Sequence, residues 1–106
     1  MPKYLIQASY TAEGHKGLQK DKASGRKAAV ATAAEGLGGR LESMYFAFGD
    51  HDVICILEAP DNVAASALAL AVAASGTVKI KTTPLLTVDE VDKALGKATS
   101  YRAPGK

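Results

Sequence analysis

The sequence has no tryptophan, one cysteine, six aromatic residues and almost no net charge, and these shortages close off whole classes of function. A single cysteine, Cys55, excludes an internal disulfide and every zinc site built on a cysteine pair. A formal charge of +2 is too weak to make nucleic acid or an anionic membrane an expected partner. The longest nearly uncharged run is interrupted by Pro60, Asp61 and Gly76, so none of it reads as a membrane span. Met1-Pro2-Lys3-Tyr4 enters strand-like alternation without the apolar stretch of a secretory leader, which makes the cytoplasm the expected location. There is also no Gly-rich phosphate loop, no serine elbow and no HExxH helix, so no cofactor is expected.

What is present fits one domain. At 106 residues the chain can build a single core, expected over 1–98, with 99–106 as a flexible tail. Hydrophobic residues make up 47% of the chain, but many are alanine, and a core that thin is often completed by a second subunit.

Tyr4 to Tyr10 alternates as a half-buried strand, with Tyr4, Ile6, Ala8 and Tyr10 on one face and Leu5, Gln7 and Ser9 on the other. Thr11 to Gly17, with two glycines, reads as a connection into a helix from about Leu18 to Leu37. Its apolar stripe is Ala23, Val30, Ala34 and Leu37, and Gly36, Gly38 and Gly39 supply its stop. The lysines and Arg26 of its first half read as a solvated face, or as an anion site near the helix start.

Arg40 to Phe48 and His51 to Glu58 are the most strand-like runs, joined at Gly49-Asp50 or Asp50-His51 as a tight turn. Asp61 can cap a second helix, Val63 to Ala74, which has no charged residue and whose outer face is a candidate subunit contact. In Thr77 to Thr83, Val78 and Ile80 alternate with Lys79 and Lys81 ahead of Pro84, the signature of a protected edge strand. Thr87 to Glu90 fits a capping box before a short final helix carrying Val91, Leu95 and Ala98.

This order predicts an α+β, ferredoxin-like βαββαβ fold: a four-stranded antiparallel sheet, both long helices on one face, and an extra C-terminal helix. The other sheet face is left bare for water or another subunit. The loop after the first strand, the hairpin turn and Ser75-Gly76 then fall at one end of the sheet.

The chain also resembles a known family, the GYD domain proteins of the dimeric α/β barrel class. The resemblance is carried by Tyr4 and Tyr10-Thr11-Ala12-Glu13-Gly14, Arg26, Gly38-Gly39-Arg40-Leu41, Gly49-Asp50-His51-Asp52-Val53, Glu58-Ala59-Pro60-Asp61 and Gly76-Thr77-Val78. His51 stands where the naming motif usually has tyrosine. The resemblance implies subunits paired through their open sheet faces; related barrel families include oxygenases, haem-binding enzymes and ligand-binding domains, and fold alone does not choose among them.

Two imidazoles and two carboxylates on one rim raise two chemical readings. His51 with Asp52 could form a general acid–base pair, as in a cofactor-independent oxygenase or isomerase. His15, Asp50 and His51 could alternatively hold a divalent metal, although turn formation explains the same aspartates. Cys55 shares strand parity with His51 but lies about 13 Å along the strand from it, and reads as a buried structural thiol. The preferred expectation is a homo-oligomer binding a small organic ligand in a cleft near the sheet face, with Tyr10, Arg26, Tyr45 and His51 around it. A pure assembly module without ligand is the remaining alternative.

Overall fold

The alternation at the start of the chain becomes strand β1, Lys3–Tyr10, at an inner position of a four-stranded sheet. The computed structural model describes residues 1–106. Along the chain follow α1 (Ala12–Gly36), β2 (Arg40–Phe46), β3 (Val53–Glu58), α2 (Asn62–Ala74), β4 (Val78–Leu85) and α3 (Val88–Leu95). Every strand pairing is antiparallel and the spatial order is β2-β3-β1-β4, the expected ferredoxin-like arrangement with its additional C-terminal helix.

The face of β1 that turns inward is Tyr4, Ile6 and Ala8, matched on β3 by Val53, Cys55 and Leu57. With Ala34, Ala59 and Ala65 these form the buried cluster, and Tyr4 closes it by donating its hydroxyl to Asn62 Oδ1 at 2.7 Å. Only 10 of 106 residues are buried, as the alanine-rich composition implies. Strict alternation would send Leu41 and Met44 to opposite faces. A bulge at Glu42 resets the register, so that Leu41 sits opposite Leu57, Met44 sits opposite Cys55, and both pack on the core.

On the opposite face Lys3 bonds to Glu58 Oε1 at 3.0 Å and to Glu42, while Arg40 Nε reaches Glu58 Oε2 at 3.2 Å. These cations hold the Glu58 carboxyl below the usual carboxylate range, Lys3 contributing most. The network ties the Lys3 end of β1 to β2 and β3 across strands.

Two expectations are corrected. Thr11 to Gly17 is not a connection: Thr11 accepts from the Gly14 N–H at 3.2 Å, caps the helix, and starts α1 at Ala12. The β2–β3 link is not a two-residue turn either. It runs from Ala47 to Asp52 and is closed by the Ala47 N–H donating to Asp52 O at 2.9 Å. The other caps are as read: Asp61 accepts from the Ala64 N–H at 2.9 Å, and Thr87 with Glu90 forms the reciprocal box. At the end of α1, Gly38 (φ +80°) and Gly39 donate back to Glu35 and Ala34, so the last turn closes as a Schellman motif.

Helix α1 is broken at Lys22, whose φ of 65° and ψ of 166° lie in a region that essentially only glycine occupies. Strain there costs on the order of 1–3 kcal/mol, and glycine loses roughly 0.5–1 kcal/mol of it to unfolded-state entropy. Lys22→Gly is therefore expected to stabilise the fold by about 1 kcal/mol and raise the thermal midpoint by about 4–8 °C. An unchanged or lower midpoint, measured by circular dichroism, would show that the break carries no strain.

Candidate functional site

An alanine-faced helix laid on a sheet leaves room that leucines would have filled. Ala29 and Ala33 of α1, both exposed, border an open apolar cavity of about 130 Å³ on the inner face of the sheet, lined also by Ile6, Val53 and Leu57 and, from α2, by Leu68 and Val72. That volume is about the space one aromatic ring takes. Of the 15 residues that line it, 14 are hydrophobic, and the exception is Arg26. A second, polar hollow shares Tyr10, Arg26 and Val78 with it and continues along the first segment of α1 past Gly14, Gly17 and Asp21. The two hollows, one apolar and one polar, thus adjoin at Tyr10, Arg26 and Val78.

Arg26 stands beyond the break in α1, and its Nη1 lies 3.5 Å from Asp21 Oδ2 on the near side. The pair is partly exposed, so it locates the guanidinium more than it stabilises the fold. Burial raises the pKa of the Tyr10 phenol above its ordinary value, while the Arg26 guanidinium pulls the other way. Tyr10 is thus a neutral hydroxyl beside a fixed cation. Cys55 lines the same cavity, and burial pushes its thiol up to about 11, which leaves it a poor nucleophile.

The expected gathering at one end of the sheet is present. Thr11 donates its amide to Thr77 O at 3.0 Å, Ser9 Oγ lies 3.4 Å from Asp50 O, and Asp52 Oδ2 accepts the Tyr10 N–H at 2.8 Å. The histidine beside Asp52 is His15, whose Nε2 is 3.6 Å from Asp52 Oδ2 and whose ring meets Tyr10 edge-on at 5.6 Å. His51 precedes Asp52 in the link between β2 and β3, forms no ion pair with it, and does not line the cavity. No three His, Cys, Asp or Glu side chains converge in a metal-holding group, so His15, Asp50 and His51 are not brought together as a ligand set.

Of the residues expected around a ligand, Tyr10 and Arg26 meet at the mouth of the cavity. Tyr45 does not join them. It pairs with Ile54 on the far face of the sheet and is 70% exposed. The sequence places His15 on the rim without singling out Asp52 as its neighbour. The signal for the pairing is its place one helical turn after the Thr11 cap, which the two glycines of Thr11 to Gly17 mask.

No helix of the chain is long and apolar enough to cross a membrane. Comparison with curated proteins and with solved structures gives no match. The family model for the GYD domain matches residues 4–95, from the first residues of β1 to the end of α3, and the chain therefore belongs to the GYD domain family.

Proposed function

We propose that the protein is a homo-oligomeric binding module for a small organic molecule with an apolar, ring-sized body and an anionic head group. The observation that carries this reading is the lone guanidinium at the junction of an otherwise hydrophobic cavity with its polar vestibule. The body would enter the apolar chamber, and the head would stop at Arg26 beside the neutral Tyr10 hydroxyl. In taking the head, Arg26 would exchange Asp21 for a ligand anion, so the cation need not give up a charge partner. The far face of the sheet carries Leu5, Ile54 and Ile56, all partly exposed, and pairing of these faces between subunits would cover them.

An enzymatic reading through His51 and Asp52 has less support. Asp52 is committed to the Tyr10 amide and faces His15, and neither imidazole lines the chamber where a substrate body would lie.

Benzoate, benzyl alcohol and benzene share the ring and differ in the head, so they test the reading directly. Methyl resonances of Val30, Val53 and Ile80 are expected to shift with benzoate at lower concentration than with the neutral pair. A hydrogen bond to a charged group is worth roughly 1.5–3 kcal/mol. Because Arg26 is partly exposed, Arg26→Gln should weaken benzoate at the low end, about tenfold, and leave benzyl alcohol unchanged. Equal benzoate affinity in wild type and variant would overturn the assigned role of Arg26. Absence of any shift with all three compounds would favour a module that only assembles.

A further inference from the structure

Arg26 can take a ligand anion only by leaving Asp21, and the exchange strands the aspartate. The 3.5 Å contact with Arg26 Nη1 is the one ion pair Asp21 makes. Glu13 lines the same polar hollow and forms no ion pair at all. The hollow is thus bordered by two carboxylates, one guanidinium and the neutral Tyr10 hydroxyl, and it is negative on balance. A simple carboxylate would make it more negative still. Lys16, Lys20 and Lys22 belong to the same stretch of helix, but they do not line the hollow and none pairs with either acid.

The spacing of the acids leaves a place for a cation. Glu13, Gly17 and Asp21 recur every fourth residue, which puts them on one face of the first segment of α1, each about 6 Å further along the axis. Nothing lies within 4 Å of the position a Cβ on Gly17 would take, so the interval between the two carboxylates is open. At its far end the Arg26 guanidinium and the Asp21 carboxylate stand side by side, 3.5 Å apart. An α-amino acid carries the same two charges, a carboxylate and an ammonium, on one carbon. Set against this pair it meets both at once: its carboxylate replaces Asp21 on Arg26, and its ammonium gives Asp21 a new partner. The balance of charge in the hollow is then unchanged. Because Glu13 and Asp21 are exposed, the ammonium also keeps part of its hydration, and the desolvation cost stays small.

We infer that the head group this site selects is zwitterionic, that of an α-amino acid with an apolar, ring-sized side chain, its carboxylate held by Arg26 and its ammonium by Asp21 and Glu13 over Gly17. The assignment rests on the proposed role of Arg26 and narrows its ligands from anions in general to amino acids.

Phenylalanine, 3-phenylpropionate and 2-phenylethylamine share one body and carry, in turn, both charges, the carboxylate alone and the ammonium alone. Followed through the methyl resonances of Val30, Val53 and Ile80 in the full chain, phenylalanine is expected to bind about five- to tenfold more tightly than either of the others. Asp21→Asn should erase that margin, weakening phenylalanine about fivefold while phenylpropionate, offered a free guanidinium, binds as well as before or better. Glu13→Gln should weaken phenylalanine about twofold and spare phenylpropionate. Both positions are exposed, and far-UV circular dichroism verifies that each variant is folded. Phenylpropionate as tight as phenylalanine on the wild type, or phenylalanine undiminished in both variants, would overturn the zwitterionic head and leave Arg26 standing as an anion site. Equal weakening of phenylalanine and phenylpropionate by Asp21→Asn would reduce Asp21 to a positioning contact for Arg26 and overturn its pairing with the ligand. Phenylethylamine as tight as phenylalanine would overturn the inference together with the anionic-head reading. A wild type whose methyls respond to none of the three would overturn ligand binding itself, and the zwitterion with it.

Discussion

Gly14→Ala is expected to lower the thermal midpoint by about 15 °C, which corresponds to roughly 3 kcal/mol for a domain of this size. A Cβ on Gly14 would stand 2.0 Å from the Thr77 carbonyl oxygen and 3.1 Å from the Tyr10 ring. The carbonyl cannot move aside freely, because it accepts the Thr11 amide at 3.0 Å and faces the Thr11 hydroxyl at 3.3 Å. Those bonds seat the first turn of α1 on the residue that leads into β4. The methyl would therefore break the seat or push the helix outward, and in either case the polar vestibule lined by Gly14, Tyr10 and Thr77 would widen. Gly17→Ala is the control: nothing lies within 4 Å of its Cβ position, so a helix interior should gain about 0.5–1 kcal/mol. If Gly14→Ala melted within a few degrees of wild type, the close seating of α1 on Thr77 would be refuted.

The same glycine shows where sequence reasoning reached and where it stopped. Two glycines after a strand read as a loop because glycine is a poor helix former, and nothing local reveals that Gly14 is required for close approach to a carbonyl some sixty positions away. Strand order, the edge position of β4 and the caps at Asp61 and Thr87 were legible because each depends on alternation or on residues within one turn. The bulge at Glu42 was not legible. It is visible only in the register with β3, and it decides that Leu41 and Met44 share a face.

The candidate site divides along the same line. The parity of β1 puts Tyr10 on one face with Tyr4, Ile6 and Ala8 without saying which face is inward, and Arg26 belongs to the cationic first half of the helix; both line the cavity. The aromatic ring of Tyr45 suggests the same cluster, but its pairing with Ile54 puts it on the opposite face. Likewise His51 is the sequence neighbour of Asp52, while the neighbour in space is His15. Adjacent residues at the end of a strand project in different directions, so proximity in sequence was the weaker guide.

Leu57→Ala joins the core to the proposed ligand chamber, and it is expected to cost about 3–4 kcal/mol, lowering the thermal midpoint by about 15–25 °C. Leu57 is 2% exposed, sits between Tyr4 of β1 and Leu41 of β2, and forms part of the cavity wall. Truncation removes its contacts, and the space it vacates merges with the existing cavity of about 130 Å³ instead of collapsing. The cost of such a change grows with the void that remains, so it should fall in the upper part of the usual range for leucine. A merged chamber also predicts a change in ligand size: a two-ring carboxylate such as naphthoate should raise the midpoint of Leu57→Ala by several degrees while leaving the wild type nearly unmoved. Ligand bound only to the folded state stabilises it by mass action, so the rescue should grow with naphthoate concentration. A loss below about 1 kcal/mol would mean that Leu57 is not a supporting wall. A full loss without rescue by naphthoate would keep Leu57 in the core and remove it from the ligand chamber.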